Sequence, residues 1–258
     1  MLTHLADQRI LVACGSWDED DQSCYQLIPG QPSGWQPLGA GQLMNQFCPQ
    51  PTYIRSHPLE VGWFLIGQKD HCGSSGAAMT TELLTPQLQW IQTKIMSPYD
   101  GGYPDNTCSV AVNSSTVIVT GGWIGNGRIN STWMLDLTDF TWTQLQDMPH
   151  VRAEHGCTTT PTGEIIIAGG YAGSYLPVYI YNPAINTWSQ ADDLPDEMTY
   201  SYPVMILWNN LPIILEYFSS NIWILDGTNW TKMEATMGAE FRGDYDTATT
   251  VPAGLFTC

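Results

Sequence analysis

The chain has 258 residues, of which 43% are hydrophobic and only 13% charged, against roughly a quarter charged in an average soluble protein. A helical protein normally lines its solvent face with Glu and Lys, so the polar surface must come from Ser, Thr, Asn, Gln and Gly, and a helical fold is disfavoured. Twenty-five acidic against eight basic residues give a formal charge of -17, a field that repels nucleic acid and anionic lipid and attracts basic partners.

From the N-terminus, Leu2–Leu5 reads as a short first strand and Ile10–Ala13 as a second. The second is too short, and too closely preceded by Asp7 and Arg9, to be the core of a secretory signal. Trp17 follows, then Asp18, Glu19, Asp20 and Asp21. Four consecutive acids repel one another and favour a solvated loop. They would also dock a basic segment, but they lack the alternating oxygens and glycine of a calcium loop. Cys14 and Cys24 fall on successive strands and are expected to pair; Cys48 and Cys72, in connections around the next repeat, form a second candidate pair.

Internal repetition organises the rest. Trp35, Trp90, Trp142, Trp188 and Trp230 close similar segments at spacings of 55, 52, 46 and 42 residues, near the 40–50-residue period of four-stranded propeller blades. The two middle copies are clearest. TCSVAVNSSTVIVTGGW is followed by STWMLDLTDFTWTQLQDMP, and GCTTTPTGEIIIAGGY by PVYIYNPAINTWSQADDLP. Each predicts a strand, a tight turn, a β-branched strand ending at Gly121–Gly122 or Gly169–Gly170, and a loop. A third strand carries Trp133 and Leu135, or Val178 and Ile180, and a turn then leads to a fourth strand headed by the Trp. Met148–Pro149 and Leu194–Pro195 end the copies. In the first, second and fifth copies the double glycine is replaced by Cys14–Gly15, Ile66–Gly67 and Leu215–Glu216. Cys108 and Cys157 occupy equivalent first-strand positions of adjacent copies, and are expected to lie beyond the roughly 7 Å Cα limit of a disulfide, buried and reduced.

These features resemble the kelch repeat: a double glycine, aromatics on the third strand, a Trp 18–20 residues later and a Leu/Met-Pro exit, with MPHVRAEHG similar to the linker between blades. The resemblance implies an all-β, kelch-type β-propeller occupying residues 1–258 as one domain, with repeats at about 1–45, 46–98, 99–149, 150–195 and 196–237 and a partial one at 238–258. A six-bladed propeller with an incomplete last blade is expected, completed by a second polypeptide chain. A closed five-bladed ring, with Asp246–Val251 as an inner strand of the first blade, is the alternative.

The residues after the double-glycine positions are Trp17, Trp123, Tyr171 and Tyr217. Repeat symmetry gathers them on one loop face, where aromatic rings offer large contact area at low entropy cost. Arg152 and Arg242 hold matching linker positions and would either clamp a ligand carboxylate or, given Glu154, Glu240 and Asp244 nearby, pair internally. The resemblance implies a non-catalytic module binding a protein or peptide, with a basic segment favoured by charge. A carbohydrate ligand, a structural subunit, and a propeller oxidase or isomerase are the alternatives. No nucleotide, serine-hydrolase or zinc motif occurs, so no cofactor or metal is expected, and no apolar run is long enough to enter a membrane. Sequons at Asn113, Asn130 and Asn229, with seven Cys and few Lys, point to an extracellular or secretory location, with a cytoplasmic propeller as the alternative.

Overall fold

The structure, a computed structural model, describes residues 2–5, 10–14, 24–28, 34–38, 55–59, 62–68, 79–84, 89–93, 98–99, 104, 106–113, 115–125, 127–170, 177–195, 203–216, 219–227 and 229–234. No helix occurs among them. The chain divides into two compact units, Met1–Tyr103 with Ala248–Cys258, and Pro104–Thr247.

The first unit holds two four-stranded antiparallel sheets, each a meander in chain order. One comprises β1 (Leu2–Leu5), β2 (Ile10–Cys14), β3 (Cys24–Leu27) and β4 (Trp35–Leu38); the other β5 (Arg55–Leu59), β6 (Gly62–Gln68), β7 (Met79–Leu84) and β8 (Trp90–Thr93). Leu2–Leu5 pairs with Ile10–Ala13, so this sheet takes its first strand from the start of the chain. Cys14 stands directly opposite Cys24 in the register of β2 and β3.

The second unit holds three such sheets. The first contains β9 (Cys108–Asn113), β10 (Thr116–Thr120), β13 (Thr132–Asp136) and β14 (Thr141–Gln144), with a two-stranded ribbon, β11 (Trp123–Ile124) and β12 (Gly127–Arg128), between its second and third strands. The second contains β15 (Gly156–Thr159), β16 (Ile165–Ala168), β17 (Tyr179–Asn182) and β18 (Thr187–Gln190). The third contains β19 (Val204–Trp208), β20 (Leu211–Leu215), β21 (Ile222–Asp226) and β22 (Asn229–Lys232). In all five sheets the fourth strand begins at the repeat Trp or one residue before it. These small antiparallel sheets are consistent with a kelch-type propeller.

Side-chain alternation explains how the sheets stack. Ile165, Ile166, Ile167 and Ala168 are all at 0% exposure, so β16 reads in sequence as an unbroken apolar run. In space the run splits by parity. Ile165 and Ile167, with Tyr179 and Tyr181, pack on Ile118 and Met148 of the preceding repeat. Ile166 and Ala168, with Val178, pack on Met205, Ile214, Trp223 and Trp230 of the following one. Each fully buried isoleucine contributes about 1.5–3 kcal/mol relative to exposure, on both faces of one sheet. Trp188 adds a polar tie, its indole N–H donating to the carbonyl of Gln146 at 2.8 Å, while its ring lies 4.8 Å from that of Tyr181. Burial raises the Tyr181 phenol above its ordinary pKa, and its hydroxyl donates to Asn186 Oδ1.

The turns carry the residues that their backbones require. Asn209 and Asn210 both take positive φ between β19 and β20, the conformation of a two-residue hairpin turn. Between β13 and β14 the Asp136 carboxylate accepts from the hydroxyl and the amide of Thr138, and these bonds hold its pKa below the ordinary value.

One expectation is overturned. Cys108 and Cys157 form a disulfide, with their Cα atoms 6.0 Å apart. β15 packs against both β9 and β19, whereas the fourth strands pack mainly on the third strands of their own sheets. The sheets therefore converge at their first strands, where equivalent residues come much nearer than the ~10 Å of face-to-face sheets. The crosslink closes a 49-residue separation, for which chain-entropy reasoning gives roughly 4 kcal/mol. Thermal unfolding with and without a dithiol reductant, in the full chain and in Cys108→Ser/Cys157→Ser, tests it. Reduction is expected to lower the midpoint of the parent more than that of the double variant, and equal shifts would contradict the assignment.

Candidate functional site

The best-defined local architecture lies where β10 and β16 run out into their double glycines and the linker Met148–His155 passes from one sheet to the next. Gly121 and Gly122 have φ of 58° and 110°, and Gly169 and Gly170 of 62° and 92°. All four therefore lie in the left-handed region where a side chain is disfavoured. Space is also short. A Cβ on Gly121 would collide with the Arg152 carbonyl oxygen and approach His155 Cε1 and Met148 Cε to 2.9 Å. On Gly170 it would come within 2.6 Å of the Ala153 oxygen and 2.9 Å of His155 Cβ. Two glycine turns from neighbouring sheets thus close on the same linker.

Main-chain bonds lace the linker in place. Met148 N donates to Asn130 O at 2.8 Å, Arg152 N to Ile129 O at 3.0 Å, Gly122 N to Arg152 O at 2.8 Å and Glu154 N to Asn106 O at 3.0 Å. Arg152 is fully buried. Its guanidinium donates to the carbonyl oxygens of Gly169 and Pro177 and lies 5.6 Å from the centroid of the Tyr179 ring. Burying a charge is costly unless it is hydrogen-bonded, and here the carbonyl oxygens of Gly169 and Pro177, which flank β16 and β17, accept from its two terminal nitrogens. The backbone of Arg152 thus belongs to one sheet's hydrogen bonding and its side chain to the next. His155 is buried, with Nε2 2.8 Å from Thr120 Oγ1. His150 Nδ1 lies 2.8 Å from the Tyr179 hydroxyl, with the two rings stacked at 5.9 Å.

The ribbon β11–β12 leaves from this linker-bound end of the sheet. Ile129 N donates to Gly122 O at 3.0 Å and closes its base. Trp123 faces Arg128 across the ribbon, and the guanidinium carbon of Arg128 lies 4.7 Å from the Trp123 ring centroid. The indole N–H donates to Gly125 O at 3.0 Å. Trp123 is half-buried, with its ring oriented by a cation–π contact and a hydrogen bond.

Of the residues singled out from the sequence, Trp123 and Arg152 are thus brought to one end of one sheet, Trp123 partly accessible and Arg152 enclosed. Trp17, Asp18, Glu19, Asp20, Asp21, Tyr171, Tyr217, Arg242, Cys48 and Cys72 lie outside the described residues. Asn113 and Asn229 are exposed and Asn130 is partly buried. Among the described residues no cluster of His, Cys, Asp and Glu is arranged to hold a metal ion, and no helix is long and apolar enough to cross a membrane.

Sequence reasoning passed over a second group. Phe140, Ile185 and Trp208 expose 42%, 67% and 43% of their surface. All three sit at first-to-second or third-to-fourth strand turns, which in an antiparallel meander lie at the end of the sheet opposite the double glycines. The sequence carried no signal for this group: Phe140 takes φ of 59° in a turn position where Gly or Asn is usual.

The sequence model of the Kelch motif matches residues 106–149, which span the sheet β9–β14 and the start of its linker. No curated protein matches the chain. A Kelch motif thus lies at residues 106–149; the sheet β15–β18 repeats its strand order, glycine turn and Trp-headed fourth strand, and the sheet β19–β22 its strand order and Trp, an arrangement similar to that of kelch repeats.

Proposed function

We propose that the protein is a non-catalytic binding module that engages a basic protein or peptide segment at the double-glycine end of its sheets. Kelch motifs are commonly protein-interaction modules, and the observation that carries the reading here is the ribbon bearing Trp123 and Arg128. It springs from the matched motif and is anchored on a linker held by buried bonds. A half-exposed, pre-oriented Trp on a rigid base loses little entropy on contact and is the residue type that most often dominates binding energy. The formal charge of -17 draws cationic segments towards the surface and speeds their encounter. In this reading residues 1–258 form one propeller, Trp17, Tyr171 and Tyr217 join Trp123 on the same rim, and Arg152 positions that rim from within. The Cys108–Cys157 crosslink supports an oxidising, extracellular or secretory setting.

A second reading draws on the exposure of Phe140, Ile185 and Trp208. It places the contact at the opposite end of the sheets, where large apolar groups stand at the turns.

Binding to an array of basic peptides separates the two. Trp123→Ala is expected to weaken the best binders about tenfold, corresponding to roughly 1.4 kcal/mol, without changing the thermal midpoint, while Ile185→Ser leaves binding unchanged. Loss of binding in Ile185→Ser with full retention in Trp123→Ala would replace the first reading by the second.

A further inference from the structure

The three sequons, Asn113-Ser114-Ser115, Asn130-Ser131-Thr132 and Asn229-Trp230-Thr231, are alike in sequence and unlike in space. An N-linked glycan needs an asparagine amide nitrogen open to solvent, because the sugar is bulky and hydrophilic. Asn113 meets this condition. It ends β9 at the turn into β10 and is exposed. Its Oδ1 accepts from the Ser115 amide at 2.8 Å and from the Ser115 hydroxyl at 3.2 Å. A backbone N–H can only donate, so the atom facing it is the amide oxygen and the nitrogen is turned away. The hydroxyl of the sequon thus already touches the side-chain amide that would be modified.

Asn130 is spent on the linker. Its Nδ2 donates to the Met148 carbonyl at 3.0 Å, its own carbonyl accepts from Met148 N at 2.8 Å, and Thr132 is at 0% exposure. A sugar on that nitrogen would have to lie against the Met148–Pro149 exit. Asn229 is exposed but lies within β22, where Thr231 pairs with Ile224. In an extended strand the hydroxyl two residues on stays about 6.5–7 Å along the chain, and no turn brings it to the amide.

We propose that Asn113 is an N-glycosylation site and that Asn130 is an unmodified structural tie. In the transfer, the Asn113 amide nitrogen bonds to C1 of an oligosaccharide carried on a polyisoprenyl diphosphate. The C1–oxygen bond to the diphosphate breaks, and the amide loses one proton. A second observation on the same strand agrees. Cys108, which begins β9, is disulfide-bonded, and disulfides form in the compartments of the secretory route. The glycan would stand at the first-to-second strand turn, at the opposite end of the sheet from the ribbon bearing Trp123, and would leave that end unobstructed. The site does not depend on the binding reading.

The full chain, secreted from eukaryotic cells behind an added leader, is digested after treatment with a glycan-releasing amidase that converts glycosylated Asn to Asp. Conversion at Asn113 is expected, with Asn130 unconverted. Asn113→Asp keeps the oxygen that Ser115 needs and should abolish that glycan with the thermal midpoint unchanged. Asn130→Asp should keep the glycan and lower the midpoint by several degrees. An Asn113 left intact in all of the secreted, folded protein would overturn the proposal, as would conversion at Asn130.

Discussion

The second unit depends on how one short linker is gripped. Between Met148 and His155 the chain leaves one sheet and enters the next, and Gly121 and Gly170, one from each of two neighbouring glycine turns, stand close against it. The carbonyl of Arg152 takes a bond from Gly122 while its guanidinium gives bonds to Gly169 and Pro177. A single residue therefore fastens two sheets by its main chain and its side chain at once. Sheets that meet only through apolar contact can slide. Directional bonds to a buried charge, roughly twice as strong as neutral ones, fix their separation and register.

Other features follow from that spacing. With the sheets locked face to face, β16 is covered on both sides and can consist entirely of Ile and Ala. With the linker seated, the first strands converge, and Cys108 and Cys157 come within bonding distance. The ribbon bearing Trp123 and Arg128 gains a rigid base because Gly122 is held on both sides, its N–H by Arg152 and its C=O by Ile129. A binding surface raised on such a base loses little freedom when occupied.

Much of this was legible from residues alone. The Trp period, the glycine pairs and the Met/Leu-Pro exits located the sheets and placed Trp123 and Arg152 at one end, because each marks a backbone event that few residue types can perform. Three things were not legible. The disulfide depended on how closely first strands converge, a tertiary distance with no sequence signature. The acceptors of Arg152 are main-chain carbonyls, invisible to reasoning from neighbouring acids such as Glu154, whose carboxylate instead accepts from Asn106. Phe140 sits at positive φ in a turn that sequence alone would assign to Asn or Gly.

The most direct test compares Gly121→Ala with Gly163→Ala by urea unfolding. Both glycines have left-handed φ, 58° and 83°, but a Cβ at Gly163 meets nothing within 4 Å, whereas at Gly121 it meets the Arg152 carbonyl, His155 and Met148. A grip on the linker predicts a loss of about 1 kcal/mol at Gly163 from backbone strain and about 3 kcal/mol or more at Gly121. Equal losses at the two positions would show that the linker is not held as described.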